Sequence, residues 1–224
     1  MKIMIFVDHQ NFCRSLQEID SYRQEKTSGL SDFIMDYLSK ELKWYKHTPR
    51  LIRTYVYTGE YTDSLINKID GHLKDEISRG MEIETAEKIQ AELDKASRGR
   101  VAQKMALDAI RNNSSFLEIR TKPLQYSFSK VDVFQKGVDV QLAVDLVSHA
   151  YINSYDVAVV CSGDVDLIES IRLVKNLGKK VIILSHPQSI AKEIRKEADH
   201  FIDMSLLRAD QLDRISHIGT PHTP

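Results

Sequence analysis

The chain has 224 residues, a formal net charge of −1, 42% hydrophobic residues and 28% charged residues. These values exclude an intrinsically disordered protein, and the balanced charge excludes a general polyanion binder, so any contact with nucleic acid has to use a local basic patch. The two cysteines, Cys13 and Cys161, are too few for a disulfide scaffold and have no zinc-finger spacing, which favours a reduced, cytoplasmic setting.

Short apolar runs rich in β-branched residues predict six buried strands. In chain order they are Ile3–Val7, Leu51–Tyr57, Phe116–Arg120, Val157–Cys161, Val181–Leu184 and His200–Asp203. The first run is too short to span a membrane. Because the strands alternate with helical segments, the pattern predicts a three-layer α/β/α fold with a mostly parallel central sheet, in a single domain over residues 1–218.

Helical periodicity fills the segments between these strands. One helical stretch is predicted from Asn11 to about Trp44, with a break near Ser28 and Gly29. Three more helices are predicted over Val140–Tyr151, Leu167–Leu177 and Ser189–Ala198.

The stretch from Tyr61 to Asn113 differs from the rest because it is polar, charged and helical in propensity. Apolar residues spaced by four, such as Leu65 and Ile69, predict two or three helices inserted between the second and third strands. This insertion is interpreted either as a solvated helical face or as an arm for a protein partner. Residues 219–224 are predicted to form a disordered tail.

Aspartates follow the ends of two predicted strands. Asp8 follows the first strand, with Asn11 three residues later, and Asp164 and Asp166 follow the strand Val157–Cys161. Ligands of an open α/β sheet bind at the carboxyl ends of its strands, so these carboxylates meet if the two strands are neighbours. Carboxylates held together favour a divalent cation, and oxygen ligands favour Mg²⁺ or Mn²⁺ over zinc.

Two more aspartates belong to the segment that leads into the helix Val140–Tyr151. Asp139 is predicted to cap this helix and is a third contributor to the metal site. Asp145 follows six residues later, about 600° around the helix, and therefore lies on a different stripe. Each acid alone is also explained as a helix cap or a turn residue. Their joint position at strand ends is what favours a metal site.

Three segments resemble, in order, the motifs of the NYN domain family, also called LabA-like, a branch of the PIN-like ribonucleases. The segment from Ile5 to Phe12 resembles the opening hydrophobic-Asp-x-x-Asn motif. The segments Lys136–Asp145 and Val159–Leu167 resemble the second and third motifs. The ordered set covers most of the chain outside the insertion. His9 and Gln10 depart from the small residues that are frequent at these positions.

The resemblance implies a PIN-like parallel sheet with an acidic metal site, and several members of the family cleave RNA. It implies that four aspartates surround one or two Mg²⁺ or Mn²⁺ ions and catalyse phosphodiester hydrolysis: Asp8, Asp139, Asp164 and Asp166. Asn11 would orient Asp8 or a bound phosphate, whereas Asp145 has no assigned role. Ser162 and Lys136 are candidates for substrate binding.

Two basic patches are candidates for contact with single-stranded RNA. The first precedes or enters the second strand and has aromatic neighbours that could stack on bases; its members are Lys40, Lys43, Lys46, Arg50 and Arg53, with Trp44, Tyr45, Tyr55 and Tyr57. The second lies in the insertion and consists of Arg98, Arg100, Lys104 and Arg111. The alternative for both patches is a solvated charged face. A homodimer, or a protein partner bound through the insertion, is a further expectation.

Other functions fit part of this pattern. A binding or regulatory protein would keep the fold and the metal site without turnover, and a toxin-like ribonuclease would add a protein partner. A phosphatase with an aspartyl nucleophile usually has a second acid two residues after the first, where this chain has Gln10. The sequence lacks GxGxxG, GxxxxGK[ST] and GxSxG motifs, which argues against a Rossmann domain, a P-loop NTPase and an α/β-hydrolase.

Overall fold

The computed structural model describes residues 1–40, 48–80, 83–113 and 116–219, with residues 109–113 described by their backbone alone. The chain divides into two compact units. The sheet unit comprises Met1–Tyr57, Asn113–Arg120 and Asp139–Pro224, and the helical unit comprises Thr58–Asn112 and Thr121–Val138. The predicted tail lies outside the described residues from position 220 onward.

Strands and helices alternate along most of the chain. The strands are β1 (Lys2–Asp8), β2 (Arg23–Glu25), β3 (Arg50–Glu60), β4 (Leu117–Pro123), β5 (Gln125–Ser127), β6 (Asp132–Phe134), β7 (Val157–Cys161), β8 (Lys180–Ser185), β9 (His200–Asp203) and β10 (Ser216–Ile218). The helices are α1 (His9–Gln17), α2 (Thr27–Lys40), α3 (Asp63–Ser78), α4 (Ile83–Asn113), α5 (Val138–Tyr151), α6 (Ile168–Asn176), α7 (Lys192–Glu197) and α8 (Ala209–Ile215).

Six strands form the central sheet in the order β4-β3-β1-β7-β8-β9. β1 is parallel to β3 and β7, and β8 is parallel to β7 and β9. The predicted three-layer α/β/α fold with a mostly parallel sheet is therefore confirmed. From β1 the chain passes to β3 on one side, and it later enters β7 on the other side. The strand order thus reverses between β1 and β7, and their carboxyl ends leave a crevice of the kind that binds ligands.

The centre of the sheet is buried on both faces. Ile3, Ile5 and Val7 of β1 belong to one apolar cluster with Phe12 of α1 and Phe33 of α2. Met4 and Phe6, which alternate with them, are also at most 1% exposed. A strand covered on both faces has an unbroken apolar sequence, and this is why the apolar runs of β1, β7 and β8 are distinctive.

The first predicted helix is wrong in its boundaries. The chain forms two helices, α1 and α2, with β2 between them. A turn at Asp20, whose carboxylate accepts a hydrogen bond from the backbone of Tyr22 at 2.9 Å, separates α1 from β2. Gly29 lies inside α2, where a Cβ atom would come within 2.0 Å of the Arg214 carbonyl oxygen. This glycine therefore allows close packing rather than ending a helix, and the predicted end near Trp44 lies outside the described residues.

The helix that carries Asp139 begins earlier than predicted. α5 starts at Val138, so Asp139 lies in its first turn and does not cap it. Gly137 has φ +77°, a conformation that glycine adopts without strain, and it directs the chain into the helix before Asp139. The helices predicted over Leu167–Leu177 and Ser189–Ala198 are confirmed as α6 and α7, each shorter than predicted at both ends.

The helical unit contains two helices, α3 and α4, as the two-to-three-helix prediction allowed, together with the antiparallel pair β5 and β6. Its small apolar cluster includes Leu65, Ile69 and Leu73 of α3 and Ile89 of α4. Along α4, Val101 and Met105 are exposed. No helix in the described part of the chain is long and apolar enough to cross a membrane.

Candidate functional site

Asp8 lies at the end of β1 in the crevice and is buried, with 3% exposure. Its Oδ1 accepts a hydrogen bond from the backbone N–H of Asn11 at 3.2 Å, and its Oδ2 accepts one from Asn11 Nδ2 at 2.6 Å. Asp8 thereby caps α1, which is the structural role expected of an acid at this position. Burial raises the pKa of Asp8, and the hydrogen bonds from Asn11 oppose part of this rise. A cation close to this carboxylate would favour its charged form.

The loop after β7 contacts Asp8 through Ser162. Val7 and Cys161 are paired at the ends of β1 and β7, so the residues that follow the two strands meet at the same edge of the sheet. The buried hydroxyl of Ser162 donates to Asp8 Oδ2 at 3.5 Å and accepts from the Asp164 N–H at 3.3 Å. The negative charge of Asp164 also raises the pKa of Asp8. The structure therefore brings Asp8, Ser162 and Asp164 together.

Asp164 itself starts a short turn of 3₁₀ helix, Val165–Leu167. Its Oδ1 accepts from the backbone N–H of Asp166 at 3.1 Å, and this leaves its second oxygen available for another partner. Asp164 is half-buried, whereas Asp166 is exposed. The two acids of this loop thus differ in their access to solvent.

The position of this loop depends on Gly163. A Cβ atom at Gly163 would lie 2.1 Å from the carbonyl oxygen of Ser189 and 2.6 Å from Ile190 Cα. The Gly163 carbonyl oxygen accepts a hydrogen bond from the Ala191 N–H at 3.0 Å. The loop that carries Asp164 is therefore held, backbone to backbone, against the loop that follows β8.

The four aspartates do not form a closed ligand set. Asp139 is half-buried in the first turn of α5. Among the described residues, the one group of three potential ligands with donor atoms all within 4.8 Å consists of His9, Cys13 and Glu25, not of aspartates. Lys136 is exposed and belongs to the helical unit.

Asp145 has a partner that the sequence did not indicate. Its carboxylate forms an ion pair with Arg120 of β4. The Arg120 guanidinium lies 4.1 Å from the centre of the Tyr55 ring, and burial together with the charge of Asp145 raises the pKa of Tyr57. Asp145 therefore fixes a cationic side chain of β4 against the ring of Tyr55 in β3.

The first basic patch is only partly described, because Lys43, Trp44, Tyr45 and Lys46 lie outside the described residues. Lys40 pairs with Asp36 at 3.6 Å, and Arg53 pairs with Glu118 at 3.1 Å. Arg50 is exposed. Tyr55 and Tyr57 are buried, with 5% and 0% exposure, so their predicted stacking on bases is wrong.

In the second patch, Arg98 and Lys104 are exposed on α4. Arg100 forms an ion pair with Asp63 of α3. The side chain of Arg111 lies outside the described residues. Two of the predicted cations therefore stay accessible on this helix.

These features define an α/β protein with carboxylates at the point where the strand order reverses. The model of the NYN domain family matches residues 2–207. The chain therefore belongs to the NYN domain family, as its resemblance to that family predicted. This family is generally one of nuclease domains.

Comparison with solved structures agrees on the fold. The chain is similar to a protein of unknown function from Vibrio parahaemolyticus, with a TM-score of 0.55 and 17% sequence identity, over 91% of this chain and 92% of that chain. At this identity the likeness shows the fold alone. A search among curated proteins finds no match.

Proposed function

We propose that this protein is a metal-dependent, PIN-like nuclease of the cytoplasm that hydrolyses phosphodiester bonds in single-stranded RNA. The observation that carries the proposal is the position of Asp8. It is buried at the switch point of the sheet, bound by Asn11 and joined through Ser162 to the loop of Asp164. Membership of a family that generally consists of nuclease domains supports the same activity.

The donor atoms at this edge fit Mg²⁺ or Mn²⁺, because they are carboxylate oxygens and because the buried Asp8 carboxylate needs a compensating charge. The residues that would hold the ion are Asp8, Asp139, Asp164 and Asp166. When bound, such an ion supplies a Lewis acid for activating water and for neutralising charge on the phosphate.

The chain's own polar groups have positioning roles in this proposal. Asn11 fixes Asp8 through two hydrogen bonds, which keeps the carboxylate in one orientation. The Ser162 hydroxyl contacts Asp8 over 3.5 Å, a weak hydrogen bond that it can exchange for one to a phosphate oxygen. Lys136 and the exposed cations Arg98 and Lys104 are the described candidates for attracting the RNA backbone. Arg50 pairs with Lys2 at the start of β1 and therefore lies at the opposite edge of the sheet from Asp8.

The test incubates the purified protein with labelled single-stranded RNA or DNA in Mg²⁺, Mn²⁺ or EDTA. Asp8→Asn and Asp164→Asn are the test variants. Asp203→Asn is the matched control, because Asp203 also ends a sheet strand and caps a 3₁₀ turn, accepting from the Ser205 N–H at 2.9 Å. We expect cleavage of RNA in the metal ions, its loss in both test variants, and its persistence in the control.

Cleavage that survives both test substitutions, or is lost equally in the control, would overturn the catalytic assignment.

A second candidate, a regulatory protein that binds RNA without cleaving it, is favoured by one observation. No three of the four aspartates approach within ligand distance of one another among the described residues. Binding of RNA with no cleavage in any metal ion would support this second function.

A further inference from the structure

A second group of potential metal ligands includes His9, the residue that directly follows Asp8. His9 and Cys13 are four residues apart on α1 and therefore project from the same helix face. Glu25 ends β2, which pairs with β10 and presents the glutamate to this face. His9 Nε2 lies 2.8 Å from Glu25 Oε1 and 3.8 Å from Cys13 Sγ. All three donor atoms lie within 4.8 Å of one another.

These separations suit a tetrahedral metal ion. With metal–ligand bonds of about 2.0–2.3 Å, neighbouring donor atoms of a tetrahedral zinc site are roughly 3.2–3.8 Å apart. The 3.8 Å separation lies at the upper limit of this interval. The 2.8 Å contact is a hydrogen bond and ion pair between His9 and Glu25, and it has to widen by about 0.4 Å to admit a metal ion. An imidazole nitrogen, a thiolate sulfur and a carboxylate oxygen together select zinc-like ions over Mg²⁺.

A catalytic relay from Cys13 through His9 to Glu25 does not fit the same geometry. In such a relay the imidazole contacts the nucleophile with one nitrogen and the carboxylate with the other. Here both partners contact the single atom Nε2. The three donor atoms are therefore grouped around one ring nitrogen instead of being ordered in a relay.

The free oxygen of the glutamate gives independent support. Glu25 Oε2 is buried and has no hydrogen-bond partner among the described residues. Buried carboxylate oxygens normally have a partner, because an unpaired one loses its hydration without compensation. A metal ion bound by both oxygens of the Glu25 carboxylate would supply that partner by direct coordination.

We propose that His9, Cys13 and Glu25 bind a zinc-like divalent metal ion with an open fourth position. Three protein ligands leave that position for water or for an anionic group of a ligand, as in catalytic rather than structural zinc sites. The Cys13 thiol releases its proton to solvent when the metal–sulfur bond forms, so binding weakens as the pH is lowered. The proposal does not rest on the nuclease function.

The test titrates Co²⁺, a spectroscopic substitute for zinc, into the reduced full-length protein. We expect a thiolate-to-cobalt charge-transfer band that saturates at one equivalent and that Zn²⁺, but not Mg²⁺, removes by displacement. Cys13→Ser should abolish the band, and Glu25→Gln should weaken cobalt binding about 10-fold or more, since even outer-shell changes cost roughly 10–100-fold.

Cys161→Ala is the matched control, because Cys161 is the other cysteine and is buried within β7. This variant should keep the band. Asp8→Asn should keep it as well, which separates this site from the acidic crevice. Circular dichroism shows whether each variant folds. If Cys13→Ser does not fold, Glu25→Gln, which preserves the side-chain shape, becomes the test variant. Absence of the band in the native protein, its survival in Cys13→Ser, or unchanged affinity in Glu25→Gln would overturn the proposal.

Discussion

Asp8 and His9 are adjacent in the chain, but their side chains belong to clusters of different chemistry and different origin. Asp8 meets only oxygen and amide groups, and its contact with Ser162 joins residues 154 positions apart. His9 meets a thiol and a carboxylate, and its contact with Glu25 joins residues 16 positions apart. The acidic crevice therefore depends on the pairing of β1 with β7, whereas the His9 cluster depends on α1 and on the pairing of β2 with β10. Neighbouring residues thus contribute to clusters that are held by different strand pairings.

The strongest test of this separation is Asp8→Asn. We expect cleavage of RNA to fall by roughly 100-fold or more, a loss typical of removing a preorganised electrostatic group. Cobalt affinity at the His9 cluster should stay unchanged. Both quantities are measured on the same preparation, by gel assay and by absorption titration. A parallel loss of cobalt binding would show that the two clusters are one site.

The next largest effect is expected from Val159→Ala in β7. Val159 is fully buried and pairs with Ile5 of β1, so the substitution leaves a cavity in the centre of the sheet. The free energy of unfolding should fall by about 2 kcal/mol, which urea titration measures. Cobalt affinity of the folded protein should be retained, because none of the three proposed ligands lies in β7. A concomitant drop in that affinity would contradict the proposed independence.

A smaller effect is expected from Asn11→Ala. This change removes the 2.6 Å hydrogen bond to Asp8 Oδ2, and a hydrogen bond to a charged group contributes about 1.5–3 kcal/mol. Cleavage should fall about 10-fold, and the Mn²⁺ concentration for half-maximal rate should rise, because the carboxylate is no longer held in one orientation. Gln10→Ala, at the exposed neighbouring position, is the control. Equal effects of the two substitutions would show that Asn11 has no particular role in orienting the Asp8 carboxylate.

The smallest effect is expected from Cys13→Ser without metal ions. The thiol is only half-buried, so the free energy of unfolding should change by less than about 0.5 kcal/mol. Added Zn²⁺ should raise the thermal midpoint of the native protein and leave that of the variant unchanged. If the metal-free variant is strongly destabilised, Cys13 acts as a packing residue.

The strands and the acidic crevice could be predicted because buried parallel strands have distinctive sequences. Five consecutive apolar residues before Asp8, and five at Val157–Cys161, are explained by burial on both faces of the sheet. Their carboxyl ends then fix where Asp8 and Asp164 lie. Asp139 is predicted as a third contributor both from its place before a helix and from the family resemblance. Its position relative to the other acids depends on the start of α5 and could not be derived from spacing.

The His9 cluster could not be predicted because β2 has no apolar pattern. Its residues Arg23, Gln24 and Glu25 are polar, and their strand conformation depends on pairing with β10 from the far end of the chain. The absence of zinc-finger spacing between the cysteines also argued against zinc, but this criterion does not apply to a site whose ligands are one histidine, one cysteine and one glutamate. The available signal was the i, i+4 spacing of His9 and Cys13, which indicates one helix face.

The contact at Gly163 couples two segments that differ in their chemistry. Ser189, Ile190 and Ala191 carry no carboxylate, yet their backbone sets the space available to the loop of Asp164. Any side chain at position 163 would have to displace them, so the position of the acidic loop depends on the backbone path of the connection after β8. Variation in this remote connection is therefore a route by which the spacing of the acids can evolve while the acids themselves stay the same.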